Sequence, residues 1–138
     1  MGIPFYASIR VGLKQRSGKL GKIIKTRKIK SGKDITKVVG IIVDCTVVKT
    51  VDEPYRTAPL YFVYGYGIDD IRANLQYLKD MNKHTTYKFN GKSYQGLDQA
   101  IKYIERNKLE NKLRNAVIDM WESIEAKFEV DRPKKKRK

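Results

Sequence analysis

The stretch from Val38 to Ile68 limits the folds open to this chain more than any other part of it. It reads VVGIIVDCTVVKTVDEPYRTAPLYFVYGYGI. Val, Ile, Cys and Thr crowd Val38–Val48, Asp52-Glu53-Pro54 supplies a turn, and a second β-rich run, Leu60–Tyr64, ends in Gly-Tyr-Gly. β-Branched and aromatic runs bounded by Pro and Gly predict two strands joined by a short connection. The runs barely alternate, which predicts strands covered on both faces. The residues before this pair read as further sheet with a basic insertion, and those after it as a small helical domain.

Phe5–Val11 (FYASIRV) is a strand candidate that begins almost at the first residue. It carries the expectation that the chain continues another polypeptide, or that Met1 is not the true start of the folded unit. Gln15–Lys37 is rich in Gly, Ser and Lys and reads as two short strand ends with a long mobile hairpin loop between them. After Gly67 the pattern turns helical. Asp69 and Asp70 suit a helix N-terminus, Ile71, Leu75, Leu78 and Met81 come next at helical spacing, and Asn82–His84 ends the run. His84, the single histidine, reads as a structural turn residue. Asn90-Gly91 between aromatic-bearing arms predicts a two-residue hairpin that pairs Phe89 with Lys92 and Tyr87 with Tyr94 on one face, the tyrosines forming a cross-strand pair. Leu97, Ala100, Ile101 and Ile104 mark a second helix. Asn107 and Glu110 fit a capping box for a third, whose stripe of Leu109, Leu113, Ala116, Val117, Met120, Trp121, Ile124 and Phe128 reads as core. Asp131–Lys138 has nothing to bury and is expected to be disordered.

The formal charge of +15 is concentrated rather than spread. Residues 14–37 hold ten Lys and Arg against the single acid Asp34, and residues 132–138 hold six more, which leaves the remainder balanced. Two dense cationic segments on a neutral background point to a polyanionic partner. The insertion is mostly Lys and contains no aromatic residue, so it is suited to phosphates rather than to stacking or reading bases. Cys45 is the only cysteine, so it reads as a small core residue, with no internal disulfide and no cysteine zinc cluster. No apolar run approaches the roughly 20 residues of a membrane helix and no signal-peptide layout opens the chain; an intracellular protein is expected. Ser17-Gly18-Lys19 and Ser31-Gly32-Lys33 are only fragments of a phosphate-binding loop. Gly65-Tyr66-Gly67 lacks the third glycine of a dinucleotide fingerprint. Asp52 and Glu53 read as turn chemistry. No catalytic constellation stands out.

Taken together, the motifs resemble the C-terminal part of RecA recombinases. Phe5-Tyr6-Ala7-Ser8-Ile9-Arg10 is similar to the family's FYAS strand. Val38-Val39-Gly40, Thr46-Val47-Val48-Lys49 and Pro54-Tyr55-Arg56 are similar to its VVG…VVKNK…PF run, and Tyr64-Gly65-Tyr66-Gly67-Ile68 to its YGEGI. The resemblance implies an α/β protein: terminal strands of a RecA-like core sheet over residues 1–68, with a basic hairpin insertion at 14–37. A small α+β C-terminal domain comes next over 69–130 (helix, β-hairpin, two helices), with a basic tail at 131–138. It implies a part in ATP-dependent DNA strand exchange and repair, as a filament on single-stranded DNA that also takes up duplex DNA. The Walker motifs and catalytic glutamate of the family are missing, so ATP and Mg²⁺ would be held mainly by a separate ATPase core portion, and this chain alone is expected to hydrolyse no ATP.

By the same resemblance, Lys49 would reach ATP on the neighbouring subunit, Phe5 would pack into the adjacent protomer, and Lys14 would belong to the secondary DNA site. The family's second motif lysine is Val51 here, its other secondary-site basic residues are Asp44 and Thr46, and its YGEGI glutamate is Tyr66. The insertion is therefore expected to have taken over duplex binding through Lys14, Arg16, Lys19, Lys22, Lys25, Arg27, Lys28 and Lys30, with Lys83, Lys88 and Lys92 as further contacts. The resemblance also implies a cytoplasmic location in a bacterial or phage-infected cell, or a nuclear one if PKKKRK acts as an import signal. The competing readings are a stand-alone DNA-binding module and a basic RNA-binding protein.

Overall fold

The computed structural model describes residues 8–50 and 55–133. Phe5, the Asp52–Pro54 turn, Val51 and most of the basic tail lie outside the described residues. Strands β1 (Arg10–Gln15), β2 (Lys22–Lys28), β3 (Asp34–Lys49), β4 (Thr57–Val63) and β5 (Gly67–Ile68) precede helix α1 (Asp70–Met81). The hairpin β6 (Tyr87–Phe89) and β7 (Lys92–Tyr94) is next, then α2 (Leu97–Arg106) and α3 (Glu110–Glu125). The protein is thus mixed α/β, with an antiparallel five-stranded sheet, a separate two-stranded hairpin and three helices. It divides into two compact units, Met1–Ala73 and Asn74–Lys138.

β3 is the axis of the first unit. Its middle pairs with β4, Gly40 against Val63 through Thr46 against Thr57, as the two β-rich runs predict. β1 and β2 both pair with β3, β1 over Val43–Lys49 and β2 over Asp34–Ile41. Because β4 occupies the other edge, β1 and β2 lie end to end along one edge. The excursion between them holds a 3₁₀ turn at Lys19–Gly21. Two glycines permit this layout: a Cβ on Gly21 would strike the Arg16 carbonyl, and one on Gly40 would strike the Phe62 carbonyl and press on Ile23. Of the strand expected at Phe5–Val11, residues 5–7 lie outside the described residues, Ser8 and Ile9 are not in strand, and Arg10 and Val11 open β1, which runs on to Gln15.

The mobile loop expected within Gln15–Lys37 is instead mostly β-hairpin. β2 and the start of β3 zip together from Ile24–Val38 to Lys28–Asp34. Ile24, Thr26, Ile35, Thr36 and Val38 supply strand propensity that the lysine content disguises. The turn is tight: Gly32 N–H donates to the Ile29 carbonyl at 2.9 Å, Ile29 N–H donates to the Lys33 carbonyl at 3.0 Å, and Gly32 takes φ 80°. That is the three-residue hairpin loop with glycine at its left-handed position. The Thr26 and Thr36 hydroxyls add a 3.0 Å cross-strand bond.

Full cover on both sheet faces is not found. Ile23, Val43 and Tyr61 are buried, but β1 is largely exposed and most of β3 and β4 is only half-buried. A sheet of this width needs a second layer on each face to bury it.

The second unit closes more completely. Leu75, Ala100, Ile104 and Leu113 form its core, with Leu113 at 0% and Ile104 at 1% exposure. The Asn-Gly hairpin has the expected register, Tyr87–Tyr94 and Phe89–Lys92. The two tyrosines find separate partners, however. Tyr94 packs against Tyr103 with ring centroids 5.5 Å apart, and the Tyr87 hydroxyl donates to Gln76 at 3.0 Å. Asp69 caps α1 as expected, accepting from the Arg72 amide at 3.1 Å and from Arg72 Nε at 3.1 Å.

The capping box from Asn107 to Glu110 does not form. Leu109 takes the N-cap position of α3 with no side-chain cap, and Asn107 ends α2. Lys108 sits at φ 52°, Leu109 N–H donates to the Ile104 carbonyl at 3.0 Å, and Lys108 N–H donates to the Glu105 carbonyl at 3.2 Å. The Asn107 amide then donates to the Tyr103 carbonyl at 2.8 Å. The same device ends α1, with Lys83 at φ 52° and Asn82 bonded to the Leu78 carbonyl at 2.8 Å. Satisfying the orphan carbonyls of α2 claimed the residue that would otherwise have capped α3. Two residues expected in the core, Trp121 and Phe128, are exposed.

Candidate nucleic-acid interface

Paired residues in an antiparallel sheet share a face, and successive residues alternate. The hairpin register therefore sorts its cations. Lys25 faces Lys37 and Arg27 faces Ile35 on one side; Thr26 faces Thr36 and Lys28 faces Asp34 on the other. The bulge between Ile23 and Ile24 leaves Val39 as an extra residue on β3, so β2 keeps its alternation and Lys22, opposite Ile41, stands on the Thr26 side. Lys25, Arg27 and Lys37 thus form one cationic face on a two-stranded arm. The arm extends beyond the β4 pairing for six residues of β3, Asp34–Val39, about 20 Å at ordinary strand rise. Lys22, Arg27 and Lys37 are exposed. Lys30 and Lys33 stand at the exposed tip, and Lys19 in the 3₁₀ turn.

Two expected contacts lie elsewhere. Lys14 pairs in register with Asp44, on the body of the sheet beyond the arm. Arg16 is committed to the same carboxylate: Nε donates to Oδ1 and Oδ2 at 3.0 and 3.1 Å, and an η nitrogen lies 2.8 Å from Oδ1. The Arg16 hydrogen bond holds the Asp44 carboxyl below its usual range, and the charges of Arg16 and Lys14 push the same way. Asp44 therefore offsets the cation beside it, and the net positive field of the first unit falls on the arm. Lys49 ends β3 opposite Arg10, two cations on one face.

In the second unit, Lys88 and Lys92 line a cleft of about 610 Å³ with Leu78, Phe89, Met120 and Asn82. The Lys92 ammonium lies 4.8 Å from the Tyr103 ring centroid. Lys83 is exposed at the end of α1. Lys88 and Lys92 stand in the cleft lining with no acid beside them there. Among the described residues, no group of His, Cys, Asp and Glu is placed to hold a metal ion, and no helix is long and apolar enough to cross a membrane.

Sequence reasoning found the basic segment but missed its face. The signal was present. Once the Lys30-Ser31-Gly32 turn is fixed, Ile29 pairs with Lys33, and counting back places Lys25 opposite Lys37. The bulge at Val39, which resets the phase of β3 and not of β2, leaves no such mark. No family model matches the chain, and no curated protein matches it.

Proposed function

We propose that this chain binds DNA through the phosphate backbone, with the β2–β3 arm as the principal contact. The observation that carries the proposal is the gathering of Lys25, Arg27 and Lys37 on one face of an ordered arm. Like charges placed opposite one another across a ladder cost stability, and a phosphate backbone laid along them offsets that cost while releasing counterions. Lys and Arg without aromatic or amide neighbours favour contact that is independent of base sequence.

The finer reading is that the chain is the C-terminal portion of a RecA-like recombinase. It would join an ATPase core portion in a homo-oligomeric filament on single-stranded DNA, with the arm receiving duplex. The motif order in the sequence supports it, together with the succession of sheet, helix, hairpin and two helices. In that setting Lys49 would lie near the phosphates of ATP and Mg²⁺ held by a neighbouring subunit, where a lysine can offset phosphate charge.

The test is duplex affinity of the full chain as a function of salt. With about five phosphates contacted, log K falls against log salt with a slope of roughly −4 to −5. Replacing Lys25, Arg27 and Lys37 with Ala flattens the slope by about two to three units. Replacing Lys14 and Arg16 leaves it nearly unchanged. Equal effects from both sets would mean that net charge, not the arm, governs binding.

A further inference from the structure

The cationic face of the arm also carries two isoleucines near its tip. Ile35 stands opposite Arg27 on that face, with Lys37 two residues along its own strand. One step past the Lys28–Asp34 pair, Ile29 N–H donates to the Lys33 carbonyl at 3.0 Å. Alternation therefore returns Ile29 and Lys33 to the side of Arg27 and Ile35. Diagonal neighbours on a ladder lie about 7–8 Å apart, so Ile29 and Ile35 form one small apolar patch framed by Arg27, Lys33 and Lys37. All three cations are exposed, and so are the isoleucines, Ile29 at 43% and Ile35 at 48%. Strand-forming tendency does not by itself call for isoleucine here. On the other side of the arm Thr26 and Thr36 meet the same need, with hydroxyls bonded to each other at 3.0 Å.

We propose that the arm bends duplex DNA, with Ile35 and Ile29 as a wedge driven between base pairs from the minor groove. The proposal rests on the arm being the duplex contact and adds what its tip does there. An apolar side chain laid on a hydrated phosphate is not removed from water. It is removed when it presses on base edges or enters a base step, which is how minor-groove proteins use isoleucine. The dimensions agree. Lys33 and Lys37 are four residues apart, about 13 Å at ordinary strand rise. That spans a minor groove about 6 Å wide and sets one lysine toward the phosphates of each strand, with Ile35 midway over the groove floor. The minor groove offers a nearly degenerate set of hydrogen-bonding groups, which suits an arm that has no amide or aromatic side chain from Lys22 to Lys37. A wedge also needs a firm backing, and the tip supplies one through the 2.9 and 3.0 Å bonds that close the turn between Ile29 and Lys33.

The probe for the full chain is a duplex of about 30 base pairs with donor and acceptor dyes at its ends and an easily unstacked TA step at its centre. A fluorescent aminopurine beside that step reports unstacking. At saturation the parent raises both energy transfer and aminopurine fluorescence. Ile29→Thr combined with Ile35→Thr, which keeps two strand-forming residues, loses at least half of both signals, while the slope of log K against log salt stays as in the parent. Ile29→Leu combined with Ile35→Leu, still apolar, retains both signals. A parent whose salt slope depends on Lys25, Arg27 and Lys37 but which leaves the duplex straight would overturn the wedge and leave the phosphate-binding arm standing. So would a threonine variant that bends the duplex as the parent does; if that variant also lost binding to phosphatidylglycerol vesicles, the isoleucines would belong to a membrane contact. Loss of both signals in the leucine variant as well would tie the effect to packing within the arm and overturn the wedge. A salt slope indifferent to Lys25, Arg27 and Lys37 would overturn the arm as the duplex contact, and the wedge with it.

Discussion

The two units of this protein solve the same problem to different degrees. In the helical unit, Leu75, Ala100, Ile104 and Leu113 are removed from water by the unit's own elements. In the sheet unit, burial is confined to a few positions such as Ile23, Val43 and Tyr61, and an aliphatic face stays open at Val11, Leu13 and Ile68. Helices at short spacing can close around one another with local contacts, whereas a sheet has two faces and must find a layer for each. The helical unit is therefore a self-sufficient core, and the sheet unit is a surface that presents charge on its arm and apolar area beside it.

The sharpest way to break this comparison is to truncate one leucine in each unit. Leu113→Ala removes a fully buried side chain and should cost about 2–5 kcal/mol. Leu13→Ala removes one that is mostly in water and should change stability by no more than about 0.5 kcal/mol. Urea unfolding followed by far-UV circular dichroism measures both. Fluorescence of Trp121, the single tryptophan, reports the helical unit specifically. Comparable losses from the two variants would mean that the sheet face is covered in solution by something that the chain itself supplies.

The same contrast explains what can be read in advance. The β3–β4 pair is legible because uninterrupted β-branched runs leave few alternatives, and the β6–β7 hairpin because Asn-Gly fixes both turn and register. Asp69 is legible as a cap because nothing else competes for it. The arm reads as a loop because lysine and glycine content outweighs the strand-forming residues between them, although Gly32 marks a specific turn. The Asn107–Glu110 box fails because two helix ends only a few residues apart compete for one asparagine. The apolar face is beyond reach, since it exists only once three strands are aligned and two bulges, at Arg10/Val11 and Ile23/Ile24, have set the phase.

A smaller effect tests the helix ends. Lys83 and Lys108 hold left-handed backbone at the C-termini of α1 and α2, a conformation costing an L-residue roughly 1–2 kcal/mol. Glycine adopts it freely but loses more entropy on folding. Each of Lys83→Gly and Lys108→Gly should therefore raise stability by roughly 0.5–1 kcal/mol net, and the double variant by about the sum, because the sites are independent caps. Loss of stability in either would show that the lysine side chain itself contributes at that helix end.

The smallest effect concerns the mixed face of the sheet. The carboxyl of Asp44 is held below its usual range first by its hydrogen bond to Arg16, and further by the charges of Arg16 and Lys14. A carboxylate whose folded-state pKa is depressed contributes stability that is fully present above its unfolded value of about 3.9 and is lost as pH falls through the folded value. Asp44→Asn should therefore lower stability by a constant amount from neutrality down to about pH 4. Below that, the gap between parent and variant should close. Both side chains of the pair are about one-third exposed, 38% for Arg16 and 31% for Asp44, so solvent and salt screen the interaction and the gap should narrow in high salt. The variant also releases the Arg16 guanidinium. Since Arg16 lies beside Asp44 on the body of the sheet and not on the arm, the slope of duplex affinity against salt should not change. A slope steeper by nearly one unit, the signature of one added phosphate contact, would extend the duplex contact from the arm onto the body of the sheet, and the division between a charged arm and a self-neutralised sheet surface would no longer hold.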